Sequence, residues 1–282
     1  MFLQLYVCDV GHGDAIIIKF PSGKTALIDC GGKDVRSASS YLEILEIQTL
    51  DYLAISHPHV DHIRDIINVT TKFRPDVLGR NRIFTKEKIK DENAEVFDTH
   101  EDIIDKYLEL NNDFTGSISG NPEKDPTMSE WGKGANIVSF ANDDSEMNLN
   151  DLSRVLFIKY GSHVILCPGD IEKKGWINLL KKPAFVEELK NTTVLIASHH
   201  GRDSGFSNDI FQYFIPKIVL VSDGRFGDTS ATDRYGSIMD EKMTINKPDD
   251  KREERKVLTT RNDGTIIVSI FGGKDLFITT TS

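Results

Sequence analysis

Three histidines and one aspartate lie within six residues of each other and have the chemistry and spacing of metal ligands: His57, His59, Asp61 and His62. In an extended chain, residues two apart point to the same side, so His57 and His59 can bind one ion together. Asp61 and His62 lie past a bend and can hold a second ion nearby. Imidazole and carboxylate groups suit zinc and other divalent first-row metals.

A site with two ions needs a bridging carboxylate and a closing imidazole, which must come from elsewhere in the chain. Asp170 and His200 are the predicted suppliers, because each follows a predicted strand and adjoins a glycine, which permits close approach of the backbone. We expect His200 to be the ligand, with its neighbour His199 facing the substrate or supporting a ligand. Asp29 either orients a ligand histidine or caps a turn.

The elements that must position these residues are short apolar strands. Leu50–Ile55 directly precedes the first histidine cluster, and Val194–Ala197 directly precedes the second. Two predicted strand–turn–strand units end at Asp29 and at Asp170. Ligand sites of open α/β sheets lie at the carboxyl ends of strands, so these segments are expected to meet at one edge.

Other segments are interpreted structurally. The loop with Asp9, His12 and Asp14 is read as a turn between two strands. Asn208–Phe214 is predicted to be a helix, and the mixed charges of Lys247–Lys256 to be a solvated cluster.

The pattern weakens between residues 71 and 147. Glu101–Leu110 has a helical pattern, and Asn111–Lys133 is rich in loop-forming residues. We interpret 71–147 as an elaboration of the core, serving as a lid, a substrate wall or a surface for a protein partner. The chain is therefore predicted to be a single domain over residues 1–282.

Composition limits the class of protein. Of 282 residues, 39% are hydrophobic and 28% charged, which argues against bulk disorder. No apolar run reaches the ~18 residues of a membrane span, and no secretory signal is recognised, so no membrane partner is expected.

Three cysteines, an odd number, indicate reduced thiols and a cytoplasmic location; they are expected to be buried rather than ligands. The net charge of −10 disfavours a broad basic surface for nucleic acid but is compatible with a local cationic groove.

Together these motifs resemble the metallo-β-lactamase superfamily, and within it the ComEC-type domain found at the end of DNA-uptake proteins and in stand-alone hydrolases. The resemblance covers nearly the whole chain apart from 71–147. It rests on the histidine cluster and on these further segments: Asp9–Ala15 (DVGHGDA), Leu27–Gly32 (LIDCGG), Asn150–Ser153 (NDLS) with Pro168–Glu172 (PGDIE), and Ser198–Gly201 (SHHG).

The resemblance implies an α/β fold, a four-layer αββα sandwich, with two divalent ions between the sheets, most simply zinc or manganese. It implies one ion at His57, His59 and Asp170. The second ion is implied to be bound by Asp61, His62, Asp170 and His200.

The sequence departs from the family pattern at a few positions. His12 stands where the branch usually has glutamine, Arg64 and Asp65 where it has two glycines, and Arg202 where serine is common. The additional histidine of lactamases and glyoxalases has no counterpart, and Asn150 or Ser153 occupies its place, which implies a more open and more weakly held ion.

The implied activity is that of a phosphodiesterase or nuclease acting on nucleic acid or a nucleotide. Asp61, Asp170 and His199 are the predicted catalytic residues, and His199 and Arg202 would stabilise negative charge on phosphorus. The alternatives are a regulatory or sensor module with a retained metal site and a lactam or thioester hydrolase. A redox di-iron protein is disfavoured, since that branch has glutamate where His59 stands.

Overall fold

The apolar segments form two β-sheets in a computed structural model that describes residues 1–224 and 229–282. The strands of these described residues are β1 (Phe2–Val7), β2 (Ile16–Lys19), β3 (Thr25–Ile28), β4 (Tyr52–Ala54), β5 (Val77–Gly79), β6 (Ala135–Phe140), β7 (Val155–Tyr160), β8 (His163–Cys167), β9 (Thr192–Ile196), β10 (Ile218–Val221), β11 (Met243–Asn246), β12 (Arg252–Arg255), β13 (Val257–Thr259), β14 (Ile266–Phe271) and β15 (Asp275–Thr280).

Helices cover the outer faces of both sheets. The α-helices of the described residues are α1 (Ala38–Ile44), α2 (Val60–Ile63), α3 (Ile66–Lys72), α4 (Lys86–Glu92), α5 (Phe97–Asp113), α6 (Lys173–Leu179), α7 (Pro183–Leu189), α8 (Thr232–Ile238) and α9 (Thr260–Asp263). None of the helices in the described ranges is long and apolar enough to cross a membrane.

The order and direction of the strands show which strand ends lie together in each sheet. The first sheet has the order β12-β11-β15-β14-β1-β2-β3-β4-β5, and the second has the order β13-β10-β9-β8-β7-β6. Strands β3, β4 and β5 are parallel, and so are β8, β9, β10 and β13. The carboxyl ends of each parallel group therefore lie together.

Alternating burial explains the four layers. In β1, Leu3 and Leu5 belong to the core between the sheets, whereas Tyr6 packs on the outer face of the first sheet, as the two-residue period of a strand requires. Helices α1, α3, α4 and α5 cover that outer face, and α6, α7 and α8 cover the second sheet with side chains such as Trp176 and Phe185. The predicted αββα sandwich is confirmed.

Some local predictions were wrong. Asn208–Phe214 is not an α-helix, because only a short 3-10 turn forms at Asn208–Gln212. Lys247–Lys256 is largely exposed, as expected, but it contains β12, an edge strand whose charged side chains face solvent. Segment 71–147 supplies β5 and β6, which form the edges of the two sheets on the same side of the sandwich.

The cysteines lie inside the sandwich, which gives a first test of the packing. Cys8, Cys30 and Cys167 are free and buried, and burial raises the pKa of each thiol. Because the thiolate is the reactive form, we expect Ellman's reagent to modify fewer than about one thiol per native chain within minutes. All three should react in denaturant, and rapid labelling of the native chain would contradict the packing described here.

Candidate metal centre

The carboxyl ends of parallel strands from both sheets meet at the histidine clusters. Strand β3 leads to Asp29 and β4 leads to His57, whereas β8, β9 and β10 lead to Asp170, His200 and Ser222. Backbone bonds hold α2 against the loop after β3, because the amide of residue 30 donates to the carbonyl of residue 62 (2.7 Å). The site therefore lies where the two sheets face each other at one edge.

Four predicted ligands form a compact group: Asp61, His62, Asp170 and His200. One ligand atom from each lies within 4.8 Å of the others. Asp170 Oδ2 is 3.2 Å from His62 Nε2 and 3.4 Å from His200 Nε2. Asp61 Oδ2 is 3.3 Å from His200 Nε2 and 3.9 Å from His62 Nε2. The structure thus brings together residues that are 139 positions apart in the chain, from 61 to 200.

These separations suit a bound cation. Zinc–nitrogen bonds of about 2.0–2.1 Å place neighbouring ligand atoms of a tetrahedral ion ~3.3 Å apart. His62 Nε2, His200 Nε2 and Asp170 Oδ1 are buried and have no hydrogen-bond partner among the described residues. Buried polar atoms without partners are costly, so an ion that they bind in common would satisfy them. The residues fit a metal centre.

The pKa shifts within this group of four residues also fit a site for a positive charge. Burial lowers the pKa of His62 and of His200, but neighbouring carboxylates, chiefly Asp170, outweigh burial and raise both pKa values well above normal. Burial also tends to raise the pKa of Asp170, yet His200 and His62 hold it well below its usual range. Buried carboxylates here are balanced by positive charge, which protons on the imidazoles or a metal ion can provide.

His57 and His59 form a second, smaller arrangement beside this group. His57 Nε2 and His59 Nδ1 are 3.0 Å apart, so the two side chains lie on the same side of the chain, as the two-residue spacing predicts. Burial lowers the pKa of both rings, and His62 and His59 lower that of His57 further. Neutral imidazoles are the form that binds metal. Neither residue belongs to a compact group of three ligands with Asp170 in the described part of the chain, so an ion at this position stays a prediction.

Asp29 and Ser56 organise the histidines from behind. Asp29 Oδ2 accepts hydrogen bonds from Ser56 Oγ (2.7 Å) and from His62 Nδ1 (2.9 Å), and Asp29 Oδ1 accepts from the Ser56 amide (2.7 Å). Ser56 Oγ also lies 3.0 Å from His57 Nδ1. With its Nδ1 bonded to Asp29, His62 presents Nε2 to the centre. Sequence reasoning missed Ser56, although its place between β4 and His57 was a signal.

The second histidine cluster adopts an unusual backbone conformation. His199 and His200 have φ values of 50° and 53°, in the left-handed region that residues with side chains rarely adopt. His200 Nδ1 lies 3.0 Å from the Ser222 carbonyl, which directs Nε2 toward Asp61 and Asp170. Strain of this kind is typical of functional sites. His200 lies in the compact group of four and His199 lies beside it, and the assignment of His200 as the ligand stays a prediction.

His199 is held by three polar neighbours. Its Nδ1 lies 2.8 Å from Ser204 Oγ and 3.1 Å from Glu172, and Arg202 Nη1 lies 3.0 Å from its Nε2. The hydrogen bond from His199 lowers the pKa of Glu172 to about 2. Because the Nδ1–H of His199 donates to Glu172, its Nε2 can accept from Arg202 Nη1. Asp170 Oδ2 lies 3.8 Å from the same nitrogen. The role of Glu172 was not recognised from sequence.

Of the two remaining predicted site residues, Ser153 contacts proposed metal ligands and Asn150 does not. Ser153 Oγ lies 3.3 Å from His57 Nδ1 and accepts from the Asp170 amide (3.2 Å), so it supports both. The side chain of Asn150 has no described contact with the ligand group; its Oδ1 is buried and has no hydrogen-bond partner among the described residues.

The loop between β1 and β2 is more than the turn inferred from sequence. His12 Nε2 lies 3.3 Å from Asp61 Oδ2, and its ring centre is 4.9 Å from that of His200. Asp14 is buried, with Oδ1 3.7 Å from His200 Nδ1, and burial raises its pKa. This loop therefore forms one wall of the site.

Gly31 sets the distance between that loop and Asp61. A Cβ at Gly31 would lie 2.6 Å from the carbonyl oxygens of both Asp14 and Asp61. We expect Gly31→Ala to lower the free energy of unfolding by about 1–3 kcal/mol, because the backbone must move apart. Gly116→Ala is the matched control, since a Cβ there meets nothing within 4 Å. Urea denaturation measures both, and equal stability of the two variants would contradict the close approach.

Comparisons with known proteins agree with this architecture. Residues 8–112 match the family model of the metallo-β-lactamase superfamily, a range that includes the first histidine cluster. No curated protein in the comparison matches this sequence.

Solved structures share the fold. The metallo-β-lactamase fold protein YhfI from Bacillus subtilis has a TM-score of 0.52 at 14% identity, covering 94% of this chain and 99% of that chain. Igni18, described as a metallo hydrolase from the archaeon Ignicoccus hospitalis KIN4/I, has a TM-score of 0.51 at 14% identity, covering 94% and 98%. This chain has the metallo-β-lactamase fold, and the comparisons support that superfamily without distinguishing a branch.

Proposed function

We propose that this chain is a metal-dependent hydrolase that cleaves phosphodiester bonds in a nucleotide or nucleic acid. The observation that carries the proposal is the convergence of His62 Nε2, His200 Nε2 and two carboxylates at the carboxyl ends of strands from both sheets. The similarity to Igni18, itself a metallo hydrolase, supports the reaction type. The ComEC-type sequence motifs support a phosphodiester substrate.

Divalent cations bound here would acidify a coordinated water and offset negative charge on the reacting group. We propose zinc or manganese, of which one ion would be held by His57, His59 and Asp170. A second ion would be held by Asp61, His62, Asp170 and His200. Asp29 and Ser56 keep His62 and His57 oriented toward the centre.

Residues beyond the ligands would receive the phosphoryl group. Arg202 lies against His199, and its Nε–H is buried without a partner among the described residues. A guanidinium in this position can donate to a phosphoryl oxygen, while His199, fixed by Glu172, holds Arg202 in place. The two residues would therefore stabilise negative charge as the phosphorus becomes pentacovalent.

The function is tested by hydrolysis of bis-p-nitrophenyl phosphate and of DNA before chelation, after chelation and after metal is restored. We expect activity to disappear and return with the metal. His59→Ala should lower kcat/KM by at least about 100-fold, because it removes a proposed metal ligand and even residues that only orient ligands contribute about 10- to 100-fold. His100→Ala, outside the ligand group, is the matched control. Activity that survives both chelation and His59→Ala would refute the proposal, and rapid turnover of nitrocefin alone would favour a lactam hydrolase.

A further inference from the structure

A cavity of about 820 Å³ opens at the edge of the sandwich, beside the metal centre and separate from it. The edge strands β5 and β6 form two of its walls, and the end of α5 with the loop 114–127 lines another. Most of its lining thus comes from segment 71–147. Cavities of this size are typical of sites for small ligands.

Three arginines line this cavity: Arg80, Arg82 and Arg154. We call it the arginine cavity. Arg80 is buried and fixed, because it donates to the Asn111 side chain (2.6 Å) and to the carbonyls of Asn111 (2.6 Å) and Phe114 (2.8 Å). Arg80 Nη2 and Arg82 Nη2 both donate to the Phe114 carbonyl, so these two guanidinium groups lie close together. Burial lowers the pKa of Arg80, and the neighbouring charges of Arg82 and Arg154 lower it further.

Two of these guanidinium groups retain donors for a ligand. Arg154 Nη1 donates to the Arg80 carbonyl (3.1 Å), but its buried Nε–H has no partner in the described ranges. Arg82 is exposed, and its Nη2 donates to the Phe114 carbonyl (3.1 Å). An unpartnered buried donor is costly unless a ligand or water satisfies it.

The cluster is unusual for a chain with a net charge of −10. In residues 1–224 and 229–282, the hydrogen bonds of these three side chains go to carbonyl and amide oxygens, and none goes to a carboxylate. The cavity does contain carboxylates. Asp125 is already bonded to Gly120 and Thr127, whereas Asp76 and Asp113 are exposed. With Lys124, four cationic side chains and three carboxylates line the cavity, so its positive excess is small, but no described ion pair joins these carboxylates to the three arginines.

We propose that the arginine cavity binds a phosphate-bearing anion through Arg82 and Arg154. Guanidinium groups donate paired hydrogen bonds to phosphate oxygens, and Arg80 shapes the wall rather than binding the ligand. The phosphate is either carried by the substrate of the metal centre or belongs to a free anion; only the first case rests on the proposed function.

The cavity and the metal centre share a wall. The Arg154 amide donates to the Ser56 carbonyl (2.8 Å), and Ser56 contacts His57. On the other side of Arg154, Ser153 contacts both His57 and Asp170. A phosphate bound by Arg154 would therefore lie one residue from Ser153, which contacts both His57 and Asp170.

Calorimetry with inorganic phosphate on the full-length protein, with its metal content measured, tests binding. We expect Arg82→Gln and Arg154→Gln each to weaken phosphate binding by about tenfold or more, as loss of a charge-assisted hydrogen bond does. Arg252→Gln removes the same charge from β12, at the opposite edge of the first sheet, and should bind as the wild type does. Arg82 is exposed, so its variant should keep the fold even if Arg154→Gln fails to fold.

Kinetics with a dinucleotide, with and without a 5′-phosphate, distinguish the two sources. For a substrate-borne phosphate, Arg82→Gln raises KM about tenfold only for the 5′-phosphorylated dinucleotide. For a free anion, both KM values stay unchanged while phosphate binding is lost. Equal phosphate binding by Arg82→Gln, Arg252→Gln and wild type would show that the arginine cavity is not an anion site. Phosphate binding is measured without any hydrolysis. The anion site can therefore be refuted while the proposed function holds, and the proposed function can be refuted while the anion site holds.

Discussion

Asp170→Asn is expected to weaken metal binding by more than about 100-fold, because even residues that only orient ligands contribute about 10- to 100-fold. The substitution keeps the shape of the side chain but removes the negative charge between His62 and His200. Hydrolysis should fall at least as far, since both ions of the proposed site contact this carboxylate. Equilibrium dialysis with metal analysis and kcat/KM for bis-p-nitrophenyl phosphate measure the two effects.

Asp209→Asn is the matched control for this experiment. Asp209 is exposed in the 3-10 turn after the second histidine cluster, and it contacts none of the proposed ligands in the described residues. It should bind metal and turn over substrate as the wild type does. Normal metal content in Asp170→Asn would show that Asp170 is not a ligand, whatever the activity.

Metal removal is expected to produce the largest change in stability. A ligand that binds only the folded state at 100–1,000 times its Kd stabilises by roughly 2.7–4.1 kcal/mol. In domains of about 150–250 residues, each kcal/mol shifts Tm by about 2–4 °C, so chelation should lower Tm by roughly 5–15 °C. The physical reason is that without an ion the buried Asp170 and the partly exposed Asp61 would be balanced only by the neighbouring imidazoles.

Calorimetric scans of chelated and metal-restored protein check this prediction. Restoring zinc or manganese should recover the lost stability in the wild type, whereas Asp170→Asn should gain only a small fraction of it. A wild-type Tm that does not respond to either metal would argue that the cluster is a buried ion-pair network rather than a metal centre.

The sequence predicted the parts of the site that depend on local spacing. His57 and His59 lie on the same side of the chain because residues two apart in an extended segment share a side. The approximate strand positions predicted that Asp170 and His200 lie at the same edge. The four-layer fold was implied by the family resemblance alone.

Contacts between distant segments could not be read from the sequence. Ser56, Asp14 and His12 were passed over or taken for turn residues, because their partners lie in other strands and loops. Strand β5 has three residues, too few to show a period, so its place in the sheet was not recognised. The arginine cavity likewise depends on the contact between Arg80 and Arg154. These residues lie far apart in the sequence, so local patterns do not predict the contact.

A crystal structure of metal-loaded protein, with anomalous diffraction recorded at the zinc or manganese edge, tests the central claim most directly. We expect an anomalous peak about 2.0–2.2 Å from His62 Nε2, His200 Nε2 and a carboxylate oxygen of Asp170, the range of zinc–ligand bonds. A protein that takes up no metal, or a peak bound by other residues, would contradict it.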